Sequence, residues 1–140
     1  MNNYWHTNYK ADQEGPVTFR YAVRPHGAFR ADEAARFGAE AREPLVVAAA
    51  AGRAPSPVPL LTVSPAAVLV TALRPVADGR SWTVELLNTA AEEQRVTLRW
   101  RTGARVAWTT SDGSGRPGAA LAWPLRLPGH GTAVVRAAER

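Results

Sequence analysis

The sequence predicts an all-β protein, with a small immunoglobulin-like β-sandwich over residues 60–140 preceded by a loop, a strand, a short helix and a second strand over residues 1–52. Three observations carry that prediction. Short apolar-alternating runs recur from Leu60 to Ala137, clusters of Gly, Pro, Asp and Ser separate them, and no helical periodicity interrupts them. Where alternation is testable it is clean: Trp82, Val84 and Leu86 share one face, as do Val96, Leu98 and Trp100, with Thr97 and Arg99 opposite. A sheet with one apolar face needs a second sheet to cover it, and a sandwich follows.

Taken in order, Met1 to Gly15 show neither period and read as a loop. Thr18 to Arg24 alternate, with Phe19, Tyr21 and Val23 on one face, and predict a half-buried strand ended by Pro25-His26-Gly27. Ala31 to Ala41, rich in Ala and Glu, predict a short helix with a narrow stripe of Ala34, Phe37 and Ala41; Asp32 and Glu33 suit its N-terminal dipole. Glu43-Pro44 closes it and opens Leu45 to Ala49, an apolar run predicted to be a strand buried on both faces. Residues 53–59, with three prolines, form a semi-rigid linker. Beyond it the predicted strands are Leu60 to Val63, Ala67 to Leu73, Ser81 to Leu87, Gln94 to Arg101, Arg105 to Thr110, Ala120 to Leu127 and Gly131 to Ala137. Asp78-Gly79 and Asp112-Gly113-Ser114-Gly115 read as hairpin turns, and the four tryptophans among these strands as core or half-buried side chains.

Composition narrows the function classes. With no cysteine, disulfides and thiolate metal sites are excluded, and no apolar run approaches the about 20 residues that span a bilayer. No signal sequence opens the chain, so the expected setting is a bacterial cytoplasm. The basic residues are 16 Arg and one Lys, a bias that fits a GC-rich genome. Up to Leu45 charge balances, so the whole net +5 lies downstream, scattered as Arg95, Arg99, Arg101, Arg105 and Arg126 across strands. That is the pattern of solvated strand faces rather than of a nucleic-acid footprint.

The first fifteen residues hold the chemistry of a sugar site. Asn3, His6, Asn8 and Asp12 supply directional hydrogen-bonding groups, while Tyr4, Trp5 and Tyr9 supply flat apolar faces with polar tips. A pyranose needs both, planar polar groups at its rim and a ring against its C–H face. The same composition also serves a connection whose Asx turns satisfy their own backbone, with Trp5 plugging the core.

Catalytic constellations do not emerge. Asp32-Glu33 and Glu92-Glu93 are adjacent pairs that diverge, so neither offers two carboxyls facing across a cleft. Ser111 to Gly115 only superficially resembles a nucleophile elbow, and His6, His26 and His130 lack metal-ligand spacing.

The order Met1 to Gly15, then Phe19-Arg20-Tyr21, Arg36-Phe37-Gly38 and Pro44-Leu45, resembles the C-terminal part of glycoside hydrolase family 38 α-mannosidases. Val68 to Pro75 and Leu86-Leu87-Asn88 are similar, more loosely, to strands of that family's terminal β-sandwich. The resemblance implies that residues 1–52 end a larger β-supersandwich, that Met1 is internal to a longer enzyme, and that the zinc-dependent catalytic domain lies outside this chain. The chain alone is then expected to be inactive and free of cofactor. By the same resemblance Asn3, Tyr4, Trp5, His6, Asn8 and Asp12 line or support the rim of a mannoside-binding cleft. The partners implied are the catalytic domain and a mannose-containing oligosaccharide, with no nucleic acid and no membrane. The alternative is a free-standing carbohydrate-binding or structural interaction module.

Overall fold

A computed structural model describes residues 15–43, 47, 49, 51–52, 58–101 and 105–140. Helix α1 spans Ala31–Arg42; the strands are β1 Leu61–Ser64, β2 Val68–Pro75, β3 Ser81–Asn88, β4 Gln94–Trp100, β5 Val106–Ser111, β6 Pro117–Ala120, β7 Leu125–Leu127 and β8 Thr132–Glu139. Every pairing is antiparallel, in a five-stranded sheet ordered β2-β3-β8-β5-β6 and a three-stranded sheet ordered β1-β4-β7.

The core lies where the two alternating faces meet. Val84 and Leu86 of β3, beside their β8 partners Val135 and Ala133, face Val96 and Leu98 of β4 and Leu127 of β7. Val84 and Val96 are fully buried, and each such side chain contributes roughly 1.5–3 kcal/mol of transfer free energy. The opposite faces of the same strands carry Thr97, Arg99 and Glu85, so the period of two that defines each strand also defines the inside of the sandwich. Polar groups close the ends. Asp78, in the β2–β3 turn, accepts from the Arg80 and Ser81 amides and the Ser81 hydroxyl, and pairs with Arg136 of β8.

A row of indoles runs through one end of the core. Trp82 lies 6.2 Å from Trp100, Trp100 6.0 Å from Trp108, and Trp108 6.0 Å from Trp123, between ring centroids. Trp100 Nε1 donates to Glu139 Oε1 at 2.8 Å, which anchors the row to the last strand.

Four expectations are corrected. Thr18 to Arg24 form no strand: residues 16–26 carry no regular secondary structure and are exposed, because no described strand lies beside them to complete a ladder. The run Ala120 to Leu127 is two strands in different sheets, β6 and β7. Pro124 has no N–H to continue a ladder, and the chain crosses between sheets from Leu121 to Pro124. Trp123 sits in that crossing and is 45% exposed, unlike Trp82, Trp100 and Trp108, which are half-buried. In α1 the stripe of Ala34, Phe37 and Ala41 is not the buried face: Ala34 and Ala41 are exposed, and the helix buries no residue. Its alanines offer too little apolar area to draw it in, and α1 rests shallowly beside β2, where Ala35 and Ala39 share a hollow with Leu69 and Val70. Of the Leu45 to Ala49 strand, residues 45, 46 and 48 lie outside the described residues, as do residues 53–57 of the linker.

Candidate functional site

The residues singled out as a sugar rim, Asn3, Tyr4, Trp5, His6, Asn8 and Asp12, lie outside the described residues, as does Tyr9. The surface that does stand out begins directly after them. Val17, Phe19, Tyr21 and Val23 are 50, 53, 74 and 88% exposed, and they recur at every second position. In an extended chain such residues project to one side, with Thr18, Arg20, Ala22 and Arg24 on the other. This row carried a signal in the sequence, the alternation itself. What the sequence did not carry is that no strand among the described residues pairs with it.

The row leads into a hollow of about 230 Å³ between the segment and the start of α1, lined by Arg24, His26, Phe29, Arg30, Glu33 and Phe37 among others. Its walls are aromatic and its rim is charged. The Arg24 guanidinium lies 6.0 Å from the Phe37 ring centroid, at the outer limit of a cation–π contact, and His26 meets Phe29 edge-on at 6.4 Å. Arg30 bridges both first-turn carboxylates, Asp32 at 2.9 Å and Glu33 at 3.2 Å. The Asp32 carboxyl is held below the usual carboxylate range chiefly by its hydrogen bond from Arg30, and Arg30 is raised by the same contact. Asp32 is therefore charged and engaged, and it is not poised to exchange a proton near neutrality.

Elsewhere several polar groups have structural partners, while the buried Thr109 Oγ1 and Arg136 Nε have none among the described residues. Asp112 accepts from the Ser114 hydroxyl and from the Ser114 and Arg116 amides, which lowers its pKa and fixes the β5–β6 hairpin; the serine-rich turn is a hairpin loop, as its sequence predicts. His130 stands in a tight turn with φ 54°. Among the described residues no group of three His, Asp or Glu side chains comes together, and no helix is long and apolar enough to cross a membrane. The serine hydroxyls that meet carboxylates, Ser81 at Asp78 and Ser114 at Asp112, do so within hairpin turns, where the same carboxylates accept from backbone amides.

Comparison with known proteins finds no matching family model, no matching curated protein and no matching solved structure.

Proposed function

We propose that this chain is a non-catalytic β-sandwich portion of an α-mannosidase-like glycoside hydrolase, ending in an immunoglobulin-like domain, and that it docks through residues 17–24 onto the polypeptide that carries the catalytic domain. One observation supports the docking: the exposed alternating row of Val17, Phe19, Tyr21 and Val23. Eight residues that alternate in this way carry the pattern of a strand that completes another sheet, where main-chain hydrogen bonds give affinity and alternate side chains fill pockets. Burying what is exposed of Phe19 and Tyr21 removes roughly 250 Å² of ring surface from water, about 6 kcal/mol before the cost of ordering. Arg20 and Arg24 on the other side favour an acidic strip beside that open edge. In this reading Asn3 to Asp12, just upstream, are carried to the rim of the mannoside cleft, and zinc belongs to the partner's catalytic domain.

The test is reconstitution. The purified chain is mixed with a purified family-38 catalytic polypeptide truncated before its own terminal β-region, and sedimentation and p-nitrophenyl α-mannoside hydrolysis are followed. Expected are no hydrolysis by the chain alone, a one-to-one complex with raised activity on mixing, and loss of both on Phe19→Ser/Tyr21→Ser. Hydrolysis by the chain alone, or a mixture that neither associates nor gains activity, overturns the reading.

A further inference from the structure

The sandwich carries a second surface feature, at the seam where the two sheets part. The chain leaves β6 at Ala120, crosses to the other sheet, and enters β7 at Leu125, and this crossing borders a hollow of about 400 Å³ lined in part by Thr110, Leu121, Trp123, Pro124, Leu125 and Arg126. That volume lies in the range of small-molecule sites. Trp123 is the largest side chain in it and is 45% exposed, whereas the other three indoles of the row are half-buried.

Three features separate this indole from an incidental surface aromatic. It is backed: Trp108 meets it at an interplanar angle of 86°, and Trp108 is itself set against Trp100, which Glu139 anchors. A T-shaped contact occupies at most one face of Trp123, so a second face is left to the hollow. Two polar side chains, Thr110 and Arg126, stand among the otherwise apolar lining. The Thr110 hydroxyl donates to Ala119 O at 3.5 Å and keeps lone pairs to accept with, and Arg126 is charge-balanced by Glu93 at 2.9 Å through one nitrogen, leaving further N–H groups. Finally, one flat ring with hydroxyl and guanidinium groups beside it matches a ligand that is flat and apolar on one face and ringed by hydroxyls. A proline-rich peptide asks for a groove between several aromatic rings, and only one is exposed here.

We infer that the hollow at the β6–β7 crossing is a binding site for a neutral pyranose ring of an oligosaccharide, stacked on the indole of Trp123, with Thr110 and Arg126 reaching its hydroxyls. None of these residues belongs to the docking segment, so the site stands whether or not that segment binds a catalytic polypeptide.

The experiment is calorimetric titration of the full chain with tetrasaccharides of mannose, glucose and xylose and with a hexaproline peptide, repeated on Trp123→Ala, Trp123→Phe and Trp5→Ala. Because Trp123 lies at the surface, urea unfolding of Trp123→Ala serves as the check that the fold is retained. The expected result is millimolar or tighter binding of at least one tetrasaccharide, weakened at least tenfold by Trp123→Ala, largely kept by Trp123→Phe, and unchanged by Trp5→Ala and by Phe19→Ser/Tyr21→Ser. Absence of any sugar binding, sugar binding lost with Trp5 but not with Trp123, or Trp123-dependent binding of hexaproline alone each overturns the site.

Discussion

Asn88→Ala is expected to cost this fold more than any other single polar truncation among the described residues. Asn88 ends β3, is fully buried, and ties three pieces of chain together. Its Nδ2 donates to the carbonyls of Glu92 at 2.8 Å, Pro128 at 2.9 Å and Leu127 at 3.2 Å, and its Oδ1 accepts from the Ala90 amide at 3.0 Å. Since β3 belongs to one sheet and β7, with Leu127, to the other, the amide is a polar strut across the sandwich. A hydrogen bond contributes about 1 kcal/mol net, and a buried group left without a partner costs about 1–3 kcal/mol. Four partners lose Asn88 at once, three of them carbonyls with a second lone pair, so a loss of about 4 kcal/mol follows. With a urea slope of about 2 kcal/mol/M the midpoint falls by roughly 2 M, the slope itself staying constant. Asn88→Asp is the sharper control: it keeps the shape but turns an oxygen toward three carbonyl oxygens, and near neutral pH its loss should exceed that of Asn88→Ala. A measured loss below about 1 kcal/mol for Asn88→Ala, or an Asp variant as stable as wild type, refutes the strut.

Two further outcomes follow from neighbouring geometry. A Cβ on Gly129 would meet Ala91 O at 1.7 Å, so Gly129→Ala must push apart the two turns that His130 N joins to Ala90 O at 2.9 Å; a loss of at least about 3 kcal/mol is expected in urea, and it should shrink in an Asn88→Ala background because both changes break one junction. Asp78 has its pKa lowered from 3.8 to about 2, first by the Arg80 amide, then by the Ser81 hydroxyl, and also by Arg136. A depressed carboxyl stabilises the folded state fully above its unfolded value and loses that contribution as pH falls from 3.8 through about 2. The stability gap between wild type and Asp78→Asn should therefore narrow from pH 5 to pH 2; a gap independent of pH contradicts this.

Much of the sandwich was legible because period two and burial coincide there. In β3 and β4 the residues assigned inward from alternation, Val84, Leu86, Val96 and Leu98, are the core, and the Asp78-Gly79 and Asp112 to Gly115 turns fall where predicted. The Ala120 to Leu127 run was misread because apolar character continues through a change of sheet; Pro124 was the one residue in it that spoke against an unbroken ladder. Trp123 reads as a core or half-buried side chain with the other three tryptophans for the same reason, though its neighbour Pro124 marks a crossing, where a side chain can face outward from either sheet. Asn88 shows the opposite limit. A single Asn at a strand end is an ordinary turn residue by composition, and its role comes from joining Glu92 to Pro128, which lies 40 residues beyond Asn88 itself, a link that no local pattern encodes.

The contrast between two alternating segments bears most directly on function. Thr18 to Arg24 and Ser81 to Leu87 carry the same kind of pattern, yet Val84 is fully buried and Val23 is 88% exposed. Alternation states which face a strand would bury and nothing about whether its partner is present. In β3 the partners are β2 and β8, supplied by this chain, and the face closes. For residues 17–23 no described strand plays that part. Apolar rows of that length left in water are aggregation hazards that proteins ordinarily blunt with charge, Pro or cover. By alternation the charges of this segment, Arg20 and Arg24, fall at the positions between the apolar ones, so its own charges do not interrupt the row. A row this exposed and this regular is the observation on which the proposed cover by a sheet edge from another polypeptide rests, and it is the reason to look for that polypeptide before looking for an activity in this one.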